Sequence, residues 1–210
     1  PADAVVTDPD IVASYRQDRA LDPDAGTPIA VVRPRSTEEV QTVLRWANEH
    51  KIAVVPRGAG TSLAGGALPT ADCVVIGTMR LNRFLEIDTE NRLIRVQSGV
   101  TNLSVSAELE PLGFFYAPDP SSQLACTIAG NIAMNSGGAH CLKYGVTKDY
   151  VMGLEFYDHT GELVKSGSRT VKCATGYNLG GLLVGSEGTL GMISRAILKL
   201  VDRKSTRLNS

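Results

Sequence analysis

The stretch Pro56-Arg57-Gly58-Ala59-Gly60-Thr61-Ser62-Leu63-Ala64-Gly65-Gly66 limits the chain most, because it admits few backbones. It follows Ile52-Ala53-Val54-Val55, a short apolar run suited to a buried strand, and Pro56 ends the pairing. Its four glycines allow positive φ and close approach of main-chain N–H groups, so consecutive amides can form a nest for an anion. Arg57, Thr61 and Ser62 add donors suited to phosphate oxygens. Taken alone, the same residues also fit a glycine-rich surface turn that binds nothing. The lettering rules out two familiar phosphate loops. Gly60 to Gly65 has the P-loop gap, but Gly66 and Ala67 stand where Lys and Ser/Thr belong. A dinucleotide fingerprint begun at Gly58 and Gly60 meets Leu63 at its third glycine.

Strand, helix, strand precede the loop. Ile29 to Val32 reads as a strand stopped by Pro34, and Ser36-Thr37-Glu38-Glu39 is a capping box. Val40, Val43, Leu44 and Ala47 then mark an amphipathic helix to about His50. Earlier, Thr7-Asp8-Pro9 starts a short helix, and Asp18 to Thr27 is charged and turn-rich. Beyond the loop, Cys73 to Ile76 reads as a strand, and Phe84 to Asp88 with Leu93 to Val96 as a hairpin. Thr101 caps a helix that ends at Pro111 and Gly113. Val151 to Tyr157 and Glu162 to Lys165 form a second hairpin, and Gly191 to Val201 contains a buried strand.

Between Ala117 and Gly138 the chain has almost no charge, yet it is too apolar for a disordered linker. A long segment of this kind inside a compact domain lines something. Asn131 and Asn135 are four apart, so one helical turn would put both amides on one face; helix capping is the other reading.

With 43% hydrophobic residues among 210, the chain can bury a core for one large domain or two small lobes. A formal charge of -1 leaves no electrostatic footprint for nucleic acid or an anionic membrane. No apolar run reaches the ~18 residues of a spanning helix. These features predict a cytoplasmic protein, or one attached to the inner membrane only peripherally, through partners. The four cysteines, Cys73, Cys126, Cys141 and Cys173, show no metal-ligand spacing, and the expectation is free, buried or half-buried thiols and no metal. The tail from Asp202 to Ser210 is basic, polar and aperiodic, and reads as non-native sequence or as a linker.

Five segments in this order resemble one family: Pro56 to Gly66, Pro118 to Ser122, Gly130 to Gly138, His140 to Gly145 and Gly185 to Gly191. The chain resembles the FAD-binding domain of the vanillyl-alcohol oxidase/PCMH superfamily, in the branch of glycolate oxidase subunit GlcD and the FAD-linked D-lactate dehydrogenases. The resemblance implies an α+β fold of two lobes, about 1–98 and 99–201, the larger having a mainly antiparallel sheet with flanking helices. FAD would lie between them, its diphosphate on Pro56, Arg57, Gly58, Ala59, Gly60, Thr61, Ser62 and Gly65. Pro118, Asp119 and Ser121 would orient the flavin side, Asn131 and Asn135 would bracket a flavin edge or phosphate, and Thr127, Gly130 and Gly138 would let the ring pass near the backbone. Glu187, with Gly188, would contact ribose or adenine and Ile193 the adenine end; Tyr144 and Asp149 would shape the pocket.

Ala129 and Asn178 replace the usual Gly and Asp of the family. Thr61 stands where members with tethered FAD carry His, which implies a non-covalent cofactor. The reaction implied is dehydrogenation of a D-2-hydroxy acid, of glycolate or D-lactate type, by hydride transfer to the flavin. The base, the carboxylate clamp and any metal ligands would belong to a C-terminal substrate domain absent from this chain, which would be inactive alone; partner subunits or another electron acceptor would complete the system. Other oxidoreductases on this fold, and a non-catalytic nucleotide-binding subunit, are the alternatives.

Overall fold

The computed structural model describes residues 2–204. A first sheet contains β1 (Val5–Val6), β2 (Ala30–Val32), β3 (Val54–Arg57) and β4 (Val74–Gly77), in the order β1-β2-β4-β3. β2, β4 and β3 run parallel, and β1 closes one edge antiparallel. Alternation along the buried β4 divides its neighbours. Val75 joins Val6, Val12 and Val31 on one face, while Val74 and Ile76 join Val32, Val40 and Leu44 on the other.

The two helices of this region start where the sequence puts caps. Asp8 accepts from the N–H groups of Asp10 and Ile11 ahead of α1 (Pro9–Ala13). Ser36 Oγ accepts from Glu39 N–H at 3.3 Å ahead of α2 (Thr37–His50). Glu39 does not close the reciprocal half of the expected capping box. Its carboxylate accepts from Arg35 N–H at 2.7 Å instead, one residue further out.

From Phe84 onward the chain builds the larger layer. β5 (Phe84–Asp88) and β6 (Leu93–Gln97) form a hairpin, followed by α3 (Asn102–Leu109), β7 (Phe114–Phe115), α4 (Ile128–Met134) and α5 (Cys141–Tyr144). β8 (Val151–Tyr157) and β9 (Leu163–Gly167) form the second hairpin, then come α6 (Leu179–Leu183), β10 (Met192–Lys199) and β11 (Val201–Asp202). The five-stranded sheet β5-β6-β10-β8-β9 is antiparallel throughout. Its inner face packs Ile94, Val96, Leu154, Ala196 and Leu198 against Val105, Leu109, Ile128 and Ile132 of α3 and α4.

Sheet membership corrects the expected lobe boundary. β5 and β6 pair with β10 and not with β4, so the divide falls between Gly77 and Phe84, ahead of residue 98. The expected boundary at 201 also falls inside a short ladder, since Asp202 pairs with Phe114 and Arg203 N–H donates to Gly113 O at 3.0 Å. Residues 205–210 of the expected tail lie outside the described residues.

α2 is the seam between the sheets. Gln41 Nε2 donates to Gly161 O at 2.8 Å, Arg45 pairs with Glu162 at 2.7 Å, and Arg195 donates to Thr37 Oγ1 at 3.2 Å. Tyr157 and Met192 of the second sheet also enter the core cluster of Val40 and Ile76. The cysteines divide differently from expectation. Cys73 and Cys126 are buried, and burial pushes both thiols up, whereas Cys141 and Cys173 are exposed because they sit on surface segments flanking the second sheet.

Leu198, fully buried on the central strand β10, is the position to test this core. Leu198→Ala is expected to lower unfolding stability by roughly 2–5 kcal/mol in urea titration. Leu142→Ala, at a wholly exposed side chain, is expected to change it by less than about 0.5 kcal/mol.

Candidate cofactor cleft

β3 delivers the glycine loop at the end of the first sheet. Arg57 is the last residue of the ladder, opposite Gly77, and its carbonyl accepts from both Thr78 N–H at 2.9 Å and Thr78 Oγ1 at 3.3 Å. Past that point the chain leaves the sheet. Among the described residues, the N–H groups of Gly58, Ala59, Gly60, Thr61, Ser62 and Leu63 donate to no protein acceptor. Six successive unpaired amides beside a cavity are the arrangement an anion can satisfy.

The Arg57 side chain does not act as the expected phosphate donor. Only 8% exposed, its guanidinium runs behind the loop and donates to Gln17 O at 2.6 Å and to Tyr15 O and Ala67 O at 3.3 Å. Burial lowers its pKa, opposed by the charge of Asp18, and its carbon centre lies 5.4 Å from the Tyr15 ring centroid. Gly60 packs directly on this group. At φ +67, a Cβ on Gly60 would stand 2.3 Å from Arg57 Nη2.

α4 supplies the opposite wall. A Cβ on Gly58 would stand 2.4 Å from Thr127 Oγ1, so the loop meets the N-cap of this helix without room for a methyl group. The first amides of α4 are already engaged, Ile128 N–H with Val100 O at 2.8 Å, Ala129 N–H with Ser98 O at 3.1 Å and Gly130 N–H with Thr127 Oγ1 at 3.2 Å. The helix therefore offers its dipole to the cleft, while the loop offers the donors. Asn131, 2% exposed, lines the cavity with an unpartnered Nδ2, and Ser62 Oγ donates to Met134 Sδ at 3.6 Å across the gap.

The turn before β10 forms the third wall. Ser186 contributes a buried hydroxyl without a partner. Glu187 holds φ +55, a left-handed conformation unfavourable for a residue with a Cβ, and its N–H donates to Ala133 O at 2.9 Å. Its carboxylate lies against Gly66. The cleft measures about 440 Å³, within the range of small-molecule sites.

Of the residues expected to touch cofactor, the cleft is lined by Pro56 to Ser62, Ser121, Thr127, Gly130, Asn131, Glu187, Gly188 and Ile193. It is not lined by Gly65, Pro118, Asp119, Asn135 or Gly138. The expected shared face of Asn131 and Asn135 is absent because α4 ends at Met134. Asn135 turns left-handed at φ +48, and its Oδ1 accepts from Lys148 N–H at 2.9 Å beside a separate cleft of about 260 Å³. Asp119 pairs with His140 Nδ1, with Gly138 packed against it, and Pro118 O accepts from Asn102 Nδ2 at 3.0 Å. Asp149 borders the second cleft, and Tyr144 packs edge-on against Phe115.

Several lining residues escape a sequence reading. Met134 stands three after Asn131 and was available from helical spacing, and Ser186 adjoins Glu187 in its motif. Arg19 and Thr78 carry no local signal, since only the fold brings them to the glycine loop.

Fold and cleft together define a two-sheet α+β domain with a run of unpaired main-chain amides along one wall of its cleft. The family model for the FAD binding domain matches residues 28–167, and the chain belongs to that family, with FAD as its cofactor. Glycolate oxidase subunit GlcD of Bacillus subtilis is 47% identical over 86% of this chain and 38% of its own length. D-lactate dehydrogenase of Anaerostipes hadrus is 42% identical over 83% of this chain and 36% of its own. D-2-hydroxyglutarate dehydrogenase of Xanthomonas citri is 38% identical over 96% of this chain and 43% of its own. A solved structure of alkyldihydroxyacetonephosphate synthase superposes with TM-score 0.83 at 25% identity, over 95% of this chain and 38% of that one. The chain thus spans about two fifths of the length of these relatives.

Two substitutions separate the walls of the cleft. Gly58→Ala is expected to weaken FAD binding at least about ten-fold by equilibrium dialysis, because the methyl group must displace Thr127 or the amide run. Glu187→Gly is expected to stabilise the cofactor-free chain by roughly 1 kcal/mol in thermal melts, by relieving the left-handed strain, while lowering its affinity for FAD.

Proposed function

We propose that this chain is the FAD-holding part of a flavin-dependent dehydrogenase of a D-2-hydroxy acid, of glycolate or D-lactate type, with the cofactor bound non-covalently. The observation that carries the proposal is the run of unpaired amides from Gly58 to Leu63, facing the unpartnered Asn131 Nδ2 and Ser186 Oγ. A diphosphate satisfies the first set, and polar edges of a flavin nucleotide satisfy the second. The names of the relatives, acting on glycolate, D-lactate and D-2-hydroxyglutarate, support the substrate class.

When bound, the cofactor supplies the hydride acceptor for the α-hydrogen of the acid. The residues of this chain bind it, orient it and exclude water. The amides of Gly58 to Leu63 would hold the diphosphate at the centre of the cofactor, the walls of α4 and Ser186 to Ile193 would enclose the parts on either side, and Met134 and Met192 would offer apolar surface. Among the described residues no His, Cys or Tyr lines the cleft, which supports a cofactor held without a covalent bond.

Among the described residues lining the cleft, Glu187 is the one carboxylate, and it lies against Gly66. The base for the substrate hydroxyl is therefore assigned to the greater part of the relatives' length that this chain does not span. The word subunit in the name of one relative fits a multi-subunit assembly that passes the electrons on.

Equilibrium dialysis of the purified chain against FAD is expected to give saturable binding of one FAD per chain, displaced by ADP. The loaded chain is expected to keep its oxidised flavin spectrum in D-lactate, glycolate or D-2-hydroxyglutarate. Failure to bind FAD would sink the assignment of the site, and flavin reduction at an ordinary enzymatic rate would sink the division of labour.

A further inference from the structure

We propose that Arg19 supplies the cationic side chain that neutralises the diphosphate of the bound dinucleotide. The inference rests on the placement of that diphosphate at the Gly58 to Leu63 amides. Among the described residues three charged side chains line the cleft, Arg19, Arg57 and Glu187. Arg57 is turned away, with its guanidinium committed to the carbonyls of Gln17, Tyr15 and Ala67. Glu187 is an anion against Gly66 at the far end of the loop. Without Arg19 the charges of these two cancel, and a doubly negative ligand would depend on amide dipoles alone.

Arg19 is placed for the task by its main chain. Its N–H donates to Ser62 O at 3.0 Å, which ties the residue to the middle of the glycine loop. Just before it, Asp18 is 5% exposed and its Oδ1 accepts from Ala20 N–H at 2.8 Å, fixing the backbone turn that carries Arg19. Nearby, Arg16 is occupied with Ala25 O at 2.8 Å and Pro23 O at 2.9 Å. The Arg19 side chain is exposed and, among the described residues, donates to no protein acceptor. It can swing to a phosphate oxygen with no bond to break, and its planar fork suits two such oxygens at once.

The position also explains why the fold carries the Asp18 to Thr27 segment across this face. Gln17, just ahead of that segment, anchors Arg57 from behind, and Arg19 within it stands in front, so both cations of the site depend on one stretch of chain. Arg57 contributes field through the loop, and Arg19 contributes direct contact.

The test measures FAD and ADP affinity by equilibrium dialysis at 0.05 M and 1 M salt for the unsubstituted chain, Arg19→Gln, Arg19→Lys and, as a distant charge control, Lys165→Gln. Arg19→Gln is expected to weaken both ligands roughly five- to twenty-fold at low salt, between the worth of an exposed ion pair and a charge-assisted hydrogen bond. At 1 M salt, where screening acts within about 3 Å, the gap should narrow to about two-fold or less. Arg19→Lys should recover part of the loss, Lys165→Gln should bind as the unsubstituted chain does, and the ligand-free melting temperatures should agree. Equal affinities for Arg19→Gln and the unsubstituted chain would overturn the role of Arg19 while leaving the FAD site standing. A loss that persists undiminished at 1 M salt would overturn it too, by marking a change of shape. If the unsubstituted chain bound neither FAD nor ADP, the site assignment would fall and this role with it.

Discussion

A buried guanidinium holds the site together. The Arg57 guanidinium donates to the carbonyls of Tyr15 and Gln17 in one segment and of Ala67 far along the chain, and gathers the two stretches behind the glycine loop. Hydrogen bonds from a charged donor are worth roughly 1.5–3 kcal/mol, and the carbonyls would otherwise lie poorly solvated under the loop. Because the guanidinium satisfies the loop's surroundings from behind, the amides in front can face the cleft unpaired. Gly60 is required for the same reason, since its missing side chain is the volume that the cation occupies.

The second constraint is the meeting of two sheets with different habits. The parallel strands β2, β4 and β3 present the loop at their C-terminal ends, where open α/β sheets place ligands. The antiparallel sheet positions α4 and the turn before β10 as facing walls. α2 fastens one to the other through Gln41, Arg45 and Thr37, and the apolar contact of Val40 with Tyr157 and Met192 makes the join part of the core. A cleft between two independently flexing lobes would lose its geometry; one built across a shared core keeps it. Glu187, held left-handed between Gly185 and Gly188, is where this rigidity is used to impose strain at the site.

Much of the fold was legible. The caps at Asp8, Ser36 and Thr101 open helices because a side-chain oxygen can reach amides two or three residues ahead, a strictly local matter. Both hairpins followed from alternation and turn residues. What misled was the inference from spacing to direction. Asn131 and Asn135 would share a face only if the helix continued, and the left-handed turn at Asn135 sends it to another cleft. Asp119 was expected at the flavin, and in the fold it pairs with His140 and does not line the cleft.

The sequence by itself determined the glycine loop, the elements on either side of it and the family, because glycine content, capping and hydrophobic period act over a few residues. Only the tertiary structure decided which donors line the cleft without a protein partner. It turned the Arg57 guanidinium backward, placed Arg19 on the cleft wall and, among the described residues, left Asn131 Nδ2 and Ser186 Oγ without partners. Those outcomes depend on which groups compete for the same hydrogen bonds across long sequence separations, and that competition exists only once the two sheets have packed.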